Sequence, residues 1–563
     1  MALRLREDRP LTGALLRSAR TGLLVLGFVL PAAPLTPIAR WDVVPHQRID
    51  RGKTFNCGVI AFSKDGISHI TFSVNGERRK VTSMRMNDRT GVHEYWTPIA
   101  ASDFAEDGPV RIQAIVHGND GGRRSLEPLP LVVNPRGTLP RTEAWVDSER
   151  GDDAKGEPGN PRRPFRTIGR AMDGIRMWMK AQGHGDRADG GIVRLRPGNH
   201  AMSNGGIWRE IRTVDEWVTI THDTDGTRAD TVIDRKAGVL QTHLFKLEGL
   251  TLRSSGENVH VLRGTPKYPD MNVWVHDCGL YGAGRNLRGS HPIHHGGFTT
   301  WTTDSYLTEL TSAVGGDRLA RGLRIERISD DVSRHCPLLV NCVARDVDPG
   351  MTYAHSDTWQ TWFADQPNNT IAYNVRVTDA HYQGIMSRTG KADAPVARGV
   401  AFVNCLIELR PPIRPPHRGA SGGSGRSLWM RSVDHFLMWH CSFLGQSFNF
   451  YDDKAGNQKV PLQMTNVSVV GCCFGNMKKH TQDGRVDLLG FEHNHIVTPE
   501  GIQAVRPGKD LSTGAAGLTQ TGRPERGSPL LNRLSRKLVP ADARGRPRDG
   551  RPDIGAYEFG ASN

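Results

Sequence analysis

The sequence predicts an all-β protein in which a long parallel β-helix, a solenoid, follows a small β-sandwich. The C-terminal two thirds contain a β-rich repeat of about 30 residues with no helical stripe between strands, which is the signature of a stacked coil. Ahead of it, short alternating segments lie between turn signals, as in a sandwich. The 63 Gly and 34 Pro among 563 residues are typical of a chain built from many turns.

Residues 1–40 predict a targeting segment. Five arginines precede the apolar run at positions 21–35, and the small residues Ala32 and Ala33 lie within it. A basic region, a short hydrophobic stretch and small residues describe a secretory signal, so we expect a secreted or cell-surface protein. An uncleaved anchor is the alternative. Prolines interrupt the run and no stretch reaches about 18 apolar residues, so no stable membrane span is expected.

Residues 41–135 predict the sandwich. Alternating apolar segments recur at 59–62, 69–74, 110–116 and 130–133, and Asn75-Gly76 is a hairpin turn signal. About seven short strands in a segment of this length are typical of an immunoglobulin-like fold. The segment resembles the Ig-like modules that bacteria place ahead of exported catalytic or adhesive domains. It has no chemical motif, so we expect a spacer or support.

The β-helix is predicted over residues 142–563. Six segments share apolar alternation on both sides of a Cys or Asn, at Cys278, Cys342, Asn374, Cys405, Cys441 and Cys472. These positions recur at nearly constant spacing, except that the first gap is twice as long and is interpreted as two coils. Coils stacked about 4.8 Å apart place five of the eight cysteines in one inner row. We expect free thiols, because a straight parallel ladder gives poor disulfide geometry.

Both ends of this region match a known family. Residues 144–168 contain VD-x-x-x-GDD and G-x-P-x-x-P-F-x-T-I, a predicted helix follows at 169–181, and V-x-L-x-P-G lies at 193–198. This order resembles the opening of right-handed parallel β-helix proteins of the pectate-lyase-like superfamily, and residues 542–559 resemble a segment that closes many exported members. The resemblance implies a right-handed β-helix capped by the helix. It implies no single activity, because the superfamily contains lyases, hydrolases, epimerases, esterases and adhesins.

Candidate site residues fall on consecutive coils from residue 346 onward. One constant shift along the sequence places His355 over His381, Asp357 over Gln383 and Trp362 over Arg388. The candidate catalytic residues are His355, Asp357, His381, Arg388 and Arg431, and the candidate substrate-binding residues are Trp359, Gln360, Trp362, Gln383 and Lys391.

These residue types suit the cleavage of an acidic polysaccharide by β-elimination. Arg388 or Arg431 would neutralise a uronic carboxylate, and His355 or His381 would remove the C5 proton, with Lys391 as another candidate base. The two tryptophans would stack on sugar rings. The pattern of His355, Asp357 and Gln360 resembles one common in exported β-helix proteins. Alternatively, Asp346 and Asp348 would hold calcium together with Asp357.

Other functions stay open at this point. Asp304 and Asp317 keep a glycoside hydrolase possible, which requires two carboxylates beside one bond. A non-catalytic adhesin requires only aromatic and polar ladders. The histidines of residues 291–297 suggest a zinc site, but no HExxH or paired CxxC accompanies them. The net charge of +14 permits a polyanionic partner, and no nucleic-acid-binding motif is present. We expect an acidic polysaccharide as partner and a monomer.

Overall fold

The computed structural model describes residues 33–201, 213–234, 244–256, 262–263, 271–284, 287, 291, 293–294, 299–348, 357–362, 369–381, 383–388, 397–410, 426–429, 433–451, 463–480, 485–486, 490–498 and 511–560. The apolar run of the predicted targeting segment, up to residue 32, lies outside these ranges. Within them, no helix has the length and apolar character required to cross a membrane.

Residues 38–134 form two facing antiparallel sheets and one short 3₁₀ turn, Ala101–Asp103. The strands are β1 (Ile38–Trp41), β2 (Arg48–Asp50), β3 (Thr54–Phe62), β4 (Ile67–Val74), β5 (Glu77–Val81), β6 (Arg85–Asn87), β7 (Val92–Ala100), β8 (Gly108–Gly118), β9 (Arg123–Ser125) and β10 (Leu129–Asn134). One sheet has the order β1-β3-β7-β6, and the other has the order β2-β10-β8-β4-β5, with β9 on β8. All but the β2–β10 pair, which is parallel, are antiparallel pairs.

The strands predicted in this sandwich are confirmed, and so is its hairpin. Asn75 and Gly76 connect β4 to β5 with φ of +48° and +84°, the two positive values that a type I′ turn requires. The first strand begins at Ile38, which is fully buried and pairs with Phe62. The expected boundary at residue 40 is therefore corrected: the folded part includes at least residues 38–40.

The rest of the chain consists of one helix and short strands in two long parallel sheets and one short pair. The elements are β11 (Glu143–Val146), α1 (Ile168–Ala181), β12 (Ile192–Leu195), β13 (Gly198–His200), β14 (Val218–His222), β15 (Thr231–Ile233), β16 (Leu244–Glu248), β17 (Thr251–Arg253), β18 (Leu262–Arg263), β19 (Asn272–His276), β20 (Gly279–Tyr281), β21 (Ile293–His294), β22 (Thr299–Thr303), β23 (Tyr306–Leu310), β24 (Val314–Gly315), β25 (Asp317–Arg321), β26 (Arg324–Ile328), β27 (Ser333–Arg334), β28 (Leu338–Val340), β29 (Val343–Val347), β30 (Asp357–Trp362), β31 (Thr370–Tyr373), β32 (Arg376–His381), β33 (Gln383–Arg388), β34 (Ala397–Val403), β35 (Leu406–Arg410), β36 (Arg426–Trp429), β37 (Val433–Trp439), β38 (Ser442–Tyr451), β39 (Gln463–Val470), β40 (Cys473–His480), β41 (Arg485–Val486), β42 (Phe491–Glu492), β43 (His495–Thr498) and β44 (Ser512–Thr513).

Successive coils stack strand upon strand in register. Sheet A runs β11-β12-β14-β16-β19-β22-β25-β28-β31-β34-β37-β39-β41, and β42 also pairs with β39. The second long sheet has two columns: column B includes β23, β26, β29, β32 and β35, and column C includes β27, β30, β33 and β36. The chain is therefore an all-β protein, a right-handed parallel β-helix preceded by a small β-sandwich.

Helix α1 closes the first coil, as the sequence predicts. Thr167 caps it by accepting a hydrogen bond from the Arg170 amide. Its apolar face is fully buried and joins the core of the first coils, which includes Val193 and Leu195. The buried helical residues are Ile168, Ala171, Met172, Ile175 and Met179. The helix thus covers apolar surface that a coil stack otherwise exposes at its end.

A row of left-handed residues forms the corner between sheet A and column B. In consecutive coils this position has φ between +48° and +66°, at Gly249, Asp277, Asp304, Gly322, Asn341, Asn374, Asn404, His440, Gly471 and His493. Gly, Asn and Asp tolerate this conformation best, which explains their recurrence there. The register of β31 with β34 places Asn374 beside Asn404 and Val375 beside Cys405.

The predicted alignment of Asn374 with the cysteines is therefore wrong by one residue, because Asn374 belongs to the corner row and Val375 to the thiol row. The five cysteines do occupy the thiol row, and all eight cysteines are free and buried. The amides of Cys405 and Cys441 lie 3.4 and 3.5 Å from the sulfurs of Cys441 and Cys472. Burial raises the pKa of the Cys278 and Cys342 thiols to about 12.

The step from Cys278 to Cys342 spans three coils, and the prediction of two is wrong. The corner row recurs at Asp277, Asp304, Gly322 and Asn341, so the coils that begin at Asp304 and Gly322 are much shorter than the one before them. These coils have Ser305 and Leu323 at the thiol position, so the shared Cys or Asn that marks the other segments is missing there.

The sandwich covers the outer face of sheet A. Ile38, Val44 and Phe62 pack into one cluster with outward apolar side chains of sheet A, among them Trp274 and Tyr373. Polar contacts fix the same interface: the side-chain amide of Asn369 bonds the backbone of Ala39, the Trp217 indole donates to the Pro45 carbonyl at 2.6 Å, and buried Arg321 and Asp42 are paired at 2.8 Å.

Residues 516–560, which we call the C-terminal segment, cover part of sheet A as well. Leu530, Leu534 and Ile554 join the cluster that the sandwich makes on this face. Arg548 is fully buried and donates to Glu558 and Asn404. An accessible groove along the coils therefore has to lie beside columns B and C rather than on this covered part of sheet A.

Candidate active site

A polar corner lies where the chain passes from column B to column C. Two rows of polar residues meet there on consecutive coils. The pairing of β26, β29, β32 and β35 places Ser329, Asp348, His381 and Arg410 in the first row. The pairing of β27, β30 and β33 places Asp331, Asp357 and Gln383 in the second row. We call these seven residues the polar corner.

Two buried carboxylates on adjacent coils are its central feature. Asp331 and Asp357 are 1% and 0% exposed. An Asp331 carboxylate oxygen lies 3.3 Å from the Asp357 amide, and the Gln360 side-chain amide donates to the Asp357 carboxylate at 2.8 Å. Burial raises the pKa of Asp331 well above its usual range, and the nearby charges of Asp330 and Asp357 raise it further.

Basic side chains flank the pair at the surface. The Arg334 Nε lies 3.8 Å from the Asp331 carboxylate, and its side chain is 45% exposed. Arg334 lowers the pKa of Asp331, but the larger effect of burial dominates. In the other row, Arg410 lies 3.1 Å from Asp379, and the His381 Nε2 lies 3.5 Å from the same carboxylate. The arrangement provides a carboxyl whose pKa is held above its usual range, a second buried carboxyl and an imidazole within three coils.

The predicted register in column C is confirmed. Asp357 pairs with Gln383, and Trp362 pairs with Arg388. The side chains of Trp362, Gln383 and Arg388 lie outside the described part of the chain. His355, Lys391 and Arg431 lie wholly outside it, so their predicted roles stay predictions.

On the other side of the corner the strands pair with a different offset. Val347 pairs with Ala380, so Asp348 is the register neighbour of His381 in column B, and the neighbour predicted for His381, His355, lies outside the described residues. The different offset has a simple cause in chain length. Eight residues separate Asp348 from Asp357, whereas one separates His381 from Gln383, so one shift cannot hold on both sides of the corner.

Trp359 is a core residue, which corrects its predicted role in stacking on sugar. Its side chain is 2% exposed, and its ring meets Phe402 edge-on at a centroid distance of 5.2 Å. Ser333 and Ile385, its register partners, are equally buried. Gln360 is 3% exposed and orients Asp357, so in this structure it acts as a positioning residue rather than a surface contact.

The positions of Asp346 and Asp348 do not support the predicted calcium site. Asp346 adopts φ of +56° and shares a left-handed bulge row with Glu309, Arg327 and Asp379, whereas Asp348 belongs to the polar corner. Among the described residues, no group of three or more His, Cys, Asp or Glu side chains is arranged to hold a metal ion.

Asp304 and Asp317, the other candidate acids, do not meet. Asp304 occupies the corner beside column B, near His276 and Arg321. Asp317 begins β25, at the other end of the sheet A strands, where Thr302 donates to it at 2.6 Å and burial raises its pKa to about 6. His291 bonds the Ala313 carbonyl at 3.1 Å, which is a structural role.

The sequence reasoning missed Asp331, although a signal for it was present. The same shift along the sequence that relates Gln383 to Asp357 also relates Asp357 to Asp331. Extending the register one coil backward would have placed two carboxylates side by side. The short coils before residue 341 concealed this relation, because they interrupt the longer repeat.

No protein-family profile matches the sequence, and no curated protein matches it. Among solved structures, the chain is similar to the catalytic unit of a thermostable GH87 α-1,3-glucanase from Streptomyces thermodiastaticus, with a TM-score of 0.29 and 12% sequence identity. The alignment covers 85% of this chain and 94% of the glucanase chain.

Proposed function

We propose that this chain is a carbohydrate-active enzyme that hydrolyses a glycosidic bond of an acidic polysaccharide at the polar corner. The observation that carries the proposal is the pair of buried carboxylates, Asp331 and Asp357, on adjacent coils. Glycosidases require one carboxyl that stays protonated and one that is ionised, and environments that separate their pKa values assign the two roles.

Asp331 fits the role of general acid. Its raised pKa keeps the carboxyl protonated at a pH where an exposed aspartate has lost its proton. It would donate that proton to the glycosidic oxygen as the bond from this oxygen to the anomeric carbon breaks. Asp357, oriented by Gln360, would take a proton from the water that forms the new bond to the anomeric carbon.

An acidic substrate is favoured by the cations around the corner. The side chains of Arg334 and Arg410 are 45% and 51% exposed; Arg334 lies beside Asp331 of the second row, and Arg410 belongs to the first row. Guanidinium groups bind carboxylates in a bidentate manner. The net charge of +14 adds a long-range attraction for a polyanion.

Elimination is the second candidate, and His381 is the observation in its favour. Its imidazole lies between Asp348 and Arg410 in the first row, so a base and a carboxylate-neutralising group adjoin one another. A uronic acid bound to Arg410 would lose its C5 proton to His381. A C4=C5 double bond would form as the C4–O4 glycosidic bond breaks, and the departing oxygen would take a proton from water. Asp379 competes for both side chains, and the aspartate pair includes a carboxyl whose pKa is held well above its usual range, so hydrolysis is the better supported reaction.

We also propose that the protein is exported, that residues 41–135 are an Ig-like module, and that the chain belongs to the pectate-lyase-like superfamily. The signal-like composition of residues 1–40 supports the first proposal. The two antiparallel sheets support the second, and the capped parallel coils support the third.

Product analysis tests the reaction type. The full chain is incubated with pectate, alginate, hyaluronan and chondroitin, and with neutral glucans and xylan, and both new reducing ends and the absorbance of an unsaturated uronate are followed. We expect reducing ends without unsaturated product, lost in Asp357→Asn and retained in His381→Ala. Unsaturated product that disappears in His381→Ala would replace hydrolysis with elimination. A folded protein that cleaves none of these polymers would overturn both reactions.

A further inference from the structure

An open cleft of about 440 Å³ lies at the other end of the β-helix, on the first coils. Its lining includes Glu143, Trp145, Arg194, Arg196, Asp223 and Asp225. Strands β11, β12 and β14 are parallel, and Trp145 pairs with Arg194. Alternation explains the lining: Ala144, Val146 and Val193 point inward and are fully buried, so their neighbours point outward.

The polar groups of the cleft are held in place before any ligand arrives. Arg194 donates two hydrogen bonds to Glu143, at 2.6 and 2.8 Å. The indole Nε1 of Trp145 donates to Asp223 at 3.2 Å, and Arg196 lies 3.1 Å from Asp147. Bonding to Arg194 lowers the pKa of Glu143, so this carboxylate stays ionised. Such preorganisation reduces the conformational entropy that binding costs.

These side chains match the chemistry of a sugar. The indole of Trp145 offers a flat apolar surface to the C–H face of a pyranose ring, and carboxylate oxygens accept hydrogen bonds from hydroxyls. The volume lies in the range of small-ligand sites. Three carboxylates and two guanidiniums line the cleft, and Arg194 is already satisfied by Glu143. The cleft therefore lacks the excess of cations that a uronic acid requires, in contrast to the polar corner.

We infer that this cleft is a second saccharide-binding site, one that takes neutral sugar residues and takes no part in cleavage. Four strand steps in sheet A separate β14, the last strand of the cleft, from β25, which belongs to the coil of Asp331. That is roughly 19 Å at about 4.8 Å a step, beyond the reach of any side chain of the cleft. The cleft would hold one chain or branch of a polymer while the polar corner cleaves another part of it. The inference stands on the cleft alone and does not require the proposed hydrolase activity.

Titration calorimetry of oligosaccharide binding to the full chain tests this inference. The probes are cellohexaose, maltohexaose and xylohexaose, with trigalacturonate as the anionic counterpart, and Asp357→Asn serves as background so that no probe is cleaved. We expect at least one neutral probe to bind. Trp145→Ala should weaken that binding at least about tenfold, and Trp145→Phe, which keeps an aromatic face, should retain most of it.

Trp96→Ala is the matched control. Trp96 is a partly exposed tryptophan of the sandwich, with Arg85 over its ring at 4.4 Å, and it is not part of the cleft lining. Its removal should leave affinity unchanged. Equal affinity in Trp145→Ala and the parent, or no binding by any neutral probe, would overturn the inference. Binding of trigalacturonate lost in Trp145→Ala, with no neutral probe bound, would overturn the assignment to neutral sugars. Catalytic inactivity of the parent chain would leave these outcomes unaffected.

Discussion

Replacement of Asn404 by alanine should destabilise the β-helix strongly. Asn404 occupies the left-handed corner with φ of +53° and is fully buried. Its side-chain amide donates to Asn374 at 3.0 Å and to the Ala541 carbonyl at 2.8 Å, and its oxygen accepts from Arg548 at 3.0 Å. It therefore joins two coils to the C-terminal segment.

The size of the effect follows from these contacts. Each lost hydrogen bond costs about 1 kcal/mol, and the one to buried Arg548 costs about 2 kcal/mol because a charged donor loses a partner. Alanine in the left-handed region adds about 1 kcal/mol. We expect a loss of about 5 kcal/mol in the free energy of unfolding. Asn404→Gly should lose somewhat less, because glycine accepts the positive φ without steric cost.

Urea unfolding followed by far-UV circular dichroism measures this loss. Asn341→Ala is the matched control, because Asn341 holds the same corner position with φ of +52° but is partly exposed. Its expected cost is about 1 kcal/mol, the conformational part alone. Equal losses for Asn404→Ala and Asn341→Ala would refute the reasoning that the side-chain bonds of Asn404 hold the C-terminal segment on the coils.

Three further predictions concern the buried charges and thiols. Arg321→Met should lower the free energy of unfolding by about 3–5 kcal/mol, because it removes the ion-pair partner of the fully buried Asp42 carboxylate. Adding Asp42→Asn to this variant should recover part of the loss. An unchanged midpoint of urea unfolding in Arg321→Met would contradict the prediction. Burial raises the pKa of Glu94, so the folded state keeps a proton that the unfolded chain releases. Stability should therefore fall as pH rises above about 4.3, until the native carboxyl ionises. Glu94→Gln should reduce this pH dependence of the melting temperature, and an identical pH dependence in the parent and the variant would contradict the prediction. Finally, all eight buried cysteines should resist iodoacetamide in the native protein and react in denaturant, as mass spectrometry would report; rapid native labelling would contradict the inner thiol row.

The sequence was sufficient for the architecture because the coil repeats its chemistry at every turn. Stacked strands recur with Asn, Asp or Gly at one left-handed corner and with small apolar residues after it, and both patterns are visible in the residues from 272 to 474. The capping helix was predictable from its own apolar stripe. The two short coils were not predicted, because Ser305 and Leu323 occupy the thiol position there in place of a Cys.

The candidate site was only partly predictable, for a geometric reason. Register within column C follows from strand pairing, so Asp357 over Gln383 was correct. Register across the corner depends on how many residues connect the two columns, and a fixed shift cannot represent this number, so it did not predict that Asp348 is the column B neighbour of His381. Whether Trp359 faces the core or the groove depends on the phase of the strand, which its aromatic character does not reveal.

The most direct test of the proposed role of Asp331 compares two buried carboxyls. Asp331 and Asp317 are both fully buried, and both have a raised pKa, but only Asp331 belongs to the polar corner. The measurement is the initial rate of reducing-end release, as a function of pH, on the polysaccharide that the parent cleaves fastest. We predict that Asp331→Asn abolishes cleavage, whereas Asp317→Asn keeps the parent rate and its decline at high pH, where the Asp331 carboxyl loses its proton. Cleavage at the parent rate in Asp331→Asn, with an unchanged pH profile, would contradict the account.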